Sequence, residues 1–273
     1  MKPDIMYKQP KSILNKGNGY LSGYSHSLNP YVGCTFGCSF CYVRKLPVSL
    51  FKGKEWGTWV DVKQEAEKVL TKELIREKKK GEVTIFMSSS TDPYQPVERK
   101  ERVTRFLLET MVENQPDFLF VQTRSPLVRR DIDILKQFGD KVRVSMTIET
   151  DDEAVRQHFT PQAPSISSRL NALEDLKKHG IRTQAAIAPV LPSTEKFPSL
   201  LNGIADRVCI DDFYMGDGSG GKRTERLGIF DLFDDIDKKN WTVDTAYRIV
   251  ENRMYEVFDN EDVLISQEGF APY

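Results

Sequence analysis

The amino-acid sequence predicts an α/β fold on a parallel sheet, because short, almost wholly apolar runs alternate along its middle with stretches that are amphipathic at helical spacing. The runs lie at 28–32, 83–88, 118–122, 142–147, 183–190 and 207–210. A strand apolar on both sides is one covered on both sides, as parallel strands are when helices flank the sheet. Val62, Ala66, Val69, Leu70 and Leu74 mark a first helix, and Val103, Phe106, Leu107 and Met111 a second. Ile132, Leu135 and Phe138 mark a third. Leu170, Leu173 and Leu176 mark a fourth, which Pro164 and Ser165 open and Gly180 stops. Six such units fit a parallel barrel, or most of one, and also fit an open doubly wound sheet. In either arrangement ligands bind on the loops at the C-terminal ends of the strands.

Around this middle, residues 1–26 read as an irregular lead-in, 27–213 as the strand-and-helix domain and 214–273 as a short C-terminal extension. The extension opens on a mobile Gly-rich loop, MGDGSGGKR, and carries a helix on Val243, Tyr247, Val250 and Met254. Lys78, Lys79 and Lys80 read as a solvated helix end. Of 273 residues, 39% are hydrophobic and 29% charged, the balance of an ordinary globular chain with one sizeable core. A net charge of −1 argues against a generally basic nucleic-acid wrapper, though a local basic groove is compatible with it. No apolar run approaches the ~18 residues a membrane span needs. The polar N-terminus lacks a secretory signal, so the expected location is cytoplasmic, with no membrane partner.

Four cysteines in a cytoplasmic chain are poor candidates for disulfides. Three fall together in NPYVGCTFGCSFCYVRK, directly after the first run, and Cys209 lies far downstream. Cys34, Cys38 and Cys41 have C-x3-C-x2-C spacing, and Gly33 and Gly37 permit the turns that let three thiolates converge. Thiolates select zinc, copper(I) or iron–sulfur centres. A structural zinc site or a standard ferredoxin cluster takes four ligands. Zinc would need Cys209 or His26 to close its shell, whereas three cysteines leave one iron of a cubane open. His26, His158 and His179 show no ligand spacing, and His179 suits a helix C-terminus.

This cysteine loop, with the aromatic Phe40 just before the third cysteine, resembles the motif of the radical S-adenosylmethionine (SAM) superfamily. The resemblance implies a partial (βα)6 parallel barrel with a short C-terminal helical extension, and a [4Fe–4S] cluster on Cys34, Cys38 and Cys41. It implies that the open iron chelates SAM, that one electron cleaves the sulfonium to a 5′-deoxyadenosyl radical, and that a flavodoxin or ferredoxin supplies the electron. Further segments are similar to the spore photoproduct lyase-like branch: SSSTDPYQPVE, QTRSPLVRRDIDIL, VSMTIET, FTPQAPSISSRL and IAPVLP. They cover roughly residues 12–212.

Carried over residue by residue, the resemblance puts Phe40 on the adenine. It puts Ser89, Ser90, Thr91 and Asp92 at the methionine amino group, and Arg124 at the cofactor carboxylate, a task suited to a bidentate guanidinium. Ser145 becomes a ribose or carboxylate contact, helped by Thr147 or Glu149, while Ile187 and Pro189 line the adenine edge. Tyr42 matches a hydrogen-relaying tyrosine. Each has a plainer reading: an Asx turn at residues 91–94, a surface ion pair for Arg124, a small core residue for Ser145, and a helix-face charge set for Arg129, Arg130 and Asp131. The photoproduct lyase also carries a donor cysteine where this chain has MSSSTD, with serine near position 89, and an O–H is too strong to replace that S–H. Cys209 could supply a thiol from the sixth strand, or be a small buried apolar residue. Asp211, Asp212 and Tyr214 follow it as candidates for substrate polarity. DNA-lesion chemistry, a protein or small-molecule substrate, and a non-catalytic metal-binding nucleic-acid module are the functions the sequence leaves open.

Overall fold

The computed structural model describes residues 2–273. Its strands are β1 (Asp4–Lys8), β2 (Leu14–Lys16), β3 (His26–Leu28), β4 (Tyr31–Val32), β5 (Trp59–Lys63) and β6 (Thr84–Met87), followed by β7 (Phe118–Thr123), β8 (Val142–Thr147), β9 (Arg182–Ile187), β10 (Arg207–Ile210) and β11 (Val263–Ile265). Eight of them form one sheet in the order β11-β10-β9-β8-β7-β6-β3-β2. Every pairing is parallel except β2 with β3. The main helices are α1 (Ala66–Lys78), α2 (Val103–Glu113), α3 (Glu153–Phe159), α4 (Ile166–Lys178) and α5 (Tyr247–Met254). The architecture is the expected partial parallel barrel. Among the described residues no helix is long and apolar enough to cross a membrane.

Strand alternation sorts the side chains into two cores. Ile85, Met87, Leu119, Val121, Val144, Met146, Ala185 and Val208 face outward onto Leu70 and Leu74 of α1, Leu107 and Met111 of α2, and Leu173 and Leu176 of α4. The alternate residues face inward, and the register stacks them in rungs. Phe86, Phe120 and Arg143 are partners at the floor; Gln122, Ser145, Gln184 and Arg207 form the next rung; Thr147, Ala186 and Cys209 lie above. Tyr24, Phe86, Phe118, Phe120 and Phe270 close the floor with aromatic contacts, Phe86 and Phe120 stacking at 5.1 Å.

Several sequence expectations shift. The first run, 28–32, breaks at Asn29 and Pro30 into two strands belonging to different sheets, because proline has no N–H to donate to a ladder. The lead-in is not irregular: β2 joins the main sheet, and β1 joins β5 and β4 in a separate three-stranded sheet. Val62, expected on a helix, lies on β5. The third helical pattern forms only a single turn, Ile132–Leu135, flanked by 3₁₀ segments. The C-terminal extension contributes β11 as well as helices and packs Phe270 into the floor. The Gly-rich loop is held by Asp217, whose carboxylate accepts from the backbone N–H of Ser219, Gly221, Arg223 and Thr224.

Candidate active site

The cysteine loop leaves β4 and folds against the three-stranded sheet. Gly33 has φ +86°, and a Cβ there would lie 2.6 Å from the Trp59 ring, so only glycine lets the chain turn so close to β5. Gly37 passes close to Gly57, its Cβ position 3.1 Å from the Gly57 Cα. Trp56, Trp59, Phe36 and Val43 pack around Cys34 and Cys38. On its other side the loop is clamped by Gln95, which is fully buried. Its amide donates to the Gly33 carbonyl at 3.1 Å and to Thr91 Oγ1 at 2.9 Å, and its Oε1 accepts the Thr35 N–H at 2.9 Å. Thr91 donates to the same carbonyl. Asn29 Oδ1 receives the Ser88 hydroxyl at 2.6 Å and the Ser90 N–H at 2.9 Å. Neither Gln95 nor Asn29 stands out in the sequence, since a lone amide carries no pattern.

All four cysteines are free thiols. Burial pushes the Cys34 and Cys38 thiols up and raises Cys41 to about 12, with neighbouring Cys38 adding to that of Cys41. Thiols in this pocket ionise only against a cation that replaces lost water, which is what a bound metal centre provides. Among the described residues no three His, Cys, Asp or Glu side chains are gathered as a site for a single metal ion. His26 lies on β3 with its Nε2 3.7 Å from Glu77, and Cys209 lies on β10 against the C-terminal segment, so neither closes a zinc shell around this loop. Two buried thiols and the half-buried Cys41, without a fourth soft donor, fit an iron–sulfur cluster with an open iron.

Around the loop, at the C-terminal ends of the strands, lies a polar mouth. Glu149 is buried between two guanidiniums: Arg124 Nη1 donates to Oε1, and Arg169 Nη1 to Oε2 at 2.7 Å. Burial opposes its ionisation, but the two arginines dominate and hold the carboxylate below its ordinary value. Arg169 is wholly buried and its Nη2 has no partner. The Arg124 guanidinium also lies 5.9 Å from the Phe40 ring centroid. Gln122 donates to Thr147 Oγ1 at 2.7 Å and leaves its own Oε1 without a partner; Gln184 donates to Ser145 Oγ at 3.2 Å. At the end of β10, Asp211 Oδ1 and Asp212 Oδ2 are likewise buried and unpartnered, and burial raises Asp211 to about 7. Phe213 then packs on Phe40 at 6.3 Å, closing the ring of elements around the mouth.

The structure thus brings together Cys34, Cys38, Cys41, Phe40, Arg124, Ser145 and Thr147, with Pro189 half-buried after β9. Other expected site residues are placed differently. Asp92 spends both oxygens internally, accepting from Tyr94 N–H at 2.8 Å, Thr123 Oγ1 at 2.7 Å and Arg124 N–H at 2.8 Å, so it pins β6 to β7 instead of facing a ligand. The Ser89 carbonyl accepts the Tyr42 hydroxyl, which ties Tyr42 to the loop after β6. Ile187 points outward into the helix-side core, because the strand's inward positions are Ala186 and Ala188. Cys209 is sealed: a Cβ on Gly269 would sit 2.4 Å from its sulfur, and its thiol faces the Ser266 carbonyl at 3.5 Å. Of the charge set at Arg129, Arg130 and Asp131, Arg129 stays exposed and pairs with Asp175, while Arg130 and Arg105 meet the buried carboxylates of Asp131 and Glu98. Arg169 carries no signal in the sequence, because its spacing reads as one more helix position.

The partial parallel barrel with a three-thiol loop at its mouth has counterparts among known proteins. The Radical SAM superfamily matches residues 28–199. An uncharacterised protein of Methanocaldococcus jannaschii is 33% identical over 172 residues, 63% of this chain and 62% of that protein. A radical SAM Nα-GlyT isomerase of Pseudomonas phage M6 is 27% identical over 194 residues, covering 70% of this chain and 39% of that one. Among solved structures, a cysteine-to-serine mutant of spore photoproduct lyase superposes with a TM-score of 0.65 at 14% identity, over 96% of this chain and 81% of that one. The chain belongs to the radical SAM superfamily. It spans about 60% of the length of the first curated relatives it matches.

Proposed function

We propose that this protein is a radical SAM enzyme that reductively cleaves SAM and uses the resulting radical to abstract hydrogen from a substrate. The observation that carries the reading is the three-thiol loop, set against a mouth whose unpartnered polar atoms are of the kinds SAM requires. Cys34, Cys38 and Cys41 would hold a [4Fe–4S] cluster, which would supply the electron and an open iron for reductive cleavage of SAM. The protein's own part is positioning and exclusion of water. Arg124 and the free Nη2 of Arg169 offer donors for the SAM carboxylate, with Glu149 holding both guanidiniums in place. Gln122 Oε1 offers an acceptor for a ribose hydroxyl, beside Ser145 and Thr147. Phe40 offers a face for the adenine, and the backbone at Ser89, Ser90 and Thr91 borders the amino group.

The chain has four cysteines, three in the loop and the fourth sealed behind Gly269. A reaction that ends by returning hydrogen from a protein thiol therefore lacks its donor here. That favours chemistry on a substrate other than a spore photoproduct. Anaerobic reconstitution with iron and sulfide, followed by dithionite and SAM, tests the reading. We expect 5′-deoxyadenosine and methionine to form in wild type. Absence of cleavage in a fully iron-loaded sample would overturn it.

A further inference from the structure

Just past the third cysteine the chain forms an apolar knuckle that nothing in the fold covers. A single helical turn, Pro47–Leu50, exposes Val48 and Leu50, and Phe51 follows at 88% exposure, the most exposed large apolar side chain among the described residues. Met6 of β1, also exposed, touches Lys52, which connects the knuckle to the edge of the small sheet. All five residues of β1 are exposed. Large apolar side chains gathered this way mark a contact surface more often than chance.

Charge narrows the partner. Residues 42–54 carry Arg44, Lys45, Lys52 and Lys54 and no acidic residue, in a chain whose net charge is −1. Lys52 and Lys54 are occupied by Asp61 and Asp4, while Lys45 is exposed and carries no ion pair. The surface is apolar at its centre, and the cations beside it without an acidic partner are the exposed Lys45 and the half-buried Arg44, which donates to the Ser39 carbonyl; that rim is complementary to an acidic protein.

Behind the knuckle lies Trp59, which packs in the same buried cluster as Cys34 and Cys38. Lys52 Nζ lies 4.3 Å from the Trp59 ring centroid, and that ring is in contact with Gly33, the residue before Cys34. A partner seated on the knuckle would thus lie across Lys52 and Trp59 from the cysteine loop. Resting on the proposed function, we propose that the knuckle of Val48, Leu50 and Phe51, with Arg44 and Lys45, docks an acidic one-electron carrier protein. The carrier gives up one electron, the centre on Cys34, Cys38 and Cys41 takes it, and no bond forms or breaks at the surface. A small, transient interface suits such an encounter.

The test uses the full cluster-loaded chain and purified flavodoxin. Binding is measured calorimetrically at low and high salt, alongside 5′-deoxyadenosine formation driven either by flavodoxin with its reductase or by dithionite. Phe51→Asp and Lys45→Glu should each weaken flavodoxin binding about tenfold. They should lower flavodoxin-driven cleavage in proportion and leave iron content and dithionite-driven cleavage at wild-type levels. Unchanged flavodoxin affinity in both variants would overturn the proposal, as would a wild-type dimer that dissociates on Phe51→Asp, or DNA binding lost with Lys45→Glu while flavodoxin binding persists. If dithionite itself drives no cleavage in wild type, the proposed function fails, and the calorimetry still decides the docking surface.

Discussion

The floor and the mouth of the partial barrel are built from the same strands, two or three residues apart, yet they do opposite things. At the floor, Phe86, Phe118, Phe120 and Phe270 fill the space between strands, and on the rung above them Arg207 is spent on Gln184 and on the Gly269 and Tyr273 carbonyls. At the mouth, Gln122, Arg169, Asp211 and Asp212 each keep a buried polar atom without a partner. An unmade buried hydrogen bond costs about 1–3 kcal/mol, so a fold tolerates several in one place only where something else repays them. The floor has its own exceptions, the Tyr24 hydroxyl and Arg143 Nε. Those two stand singly beside the floor aromatics, whereas the unpartnered atoms of the mouth are several and lie around the cysteine loop; the contrast teaches that the floor is built to be closed and the mouth to be completed by a ligand.

Substitutions at the two ends should separate these roles. Phe120→Ala at the floor removes a fully buried ring and should cost about 3–5 kcal/mol in chemical denaturation, while iron uptake per folded chain stays at wild type. Glu149→Gln at the mouth strips the shared counter-charge from Arg124 and Arg169. It should destabilise by a similar ~3–5 kcal/mol and, unlike Phe120→Ala, weaken SAM binding to the reconstituted protein. Gln95→Leu unpairs the Gly33 carbonyl and the Thr35 N–H and should cost about 1–3 kcal/mol; its iron content after reconstitution should fall, because the cysteine loop loses its clamp.

Asp211 sharpens the comparison through pH. Burial raises it from an ordinary 3.8 to about 7, so the folded protein holds a proton that the unfolded chain has released. Its stabilising contribution is fully present below pH 3.8 and is lost as pH rises to about 7. Asp211→Asn should therefore flatten the fall in Tm between pH 5 and 7 and raise Tm at pH 8; an unchanged pH profile would show that Asp211 is ionised in the fold. Cys209→Ala should have the smallest effect, about 1 kcal/mol or less in stability and none on SAM cleavage.

Much of this arrangement was legible in the sequence, and for definite reasons. Parallel strands announce themselves as apolar runs, so 142–147 and 207–210 coincide with β8 and β10, and the cysteine spacing marked the loop without help from the fold. Turn chemistry was harder. Pro30 divides one apolar run between two sheets, and β1 is exposed on every residue, which leaves it no hydrophobic period to detect. Contacts between side chains distant in sequence were invisible: that Asp92 caps the end of β7, that Gln95 clamps Gly33, and that Arg169 shares Glu149 with Arg124. Cys209 shows the limit of strand alternation. Its strand carries the side chain inward, but alternation says nothing of the C-terminal segment that covers it.

The most direct test of the central claim is the electron paramagnetic resonance spectrum of the dithionite-reduced, reconstituted protein, recorded with and without SAM. A cluster held by Cys34, Cys38 and Cys41 with one iron open should give a [4Fe–4S] signal that changes when SAM is added. The signal should disappear with the bound iron in Cys38→Ala. A spectrum indifferent to SAM, or a cluster that survives Cys38→Ala intact, would contradict it.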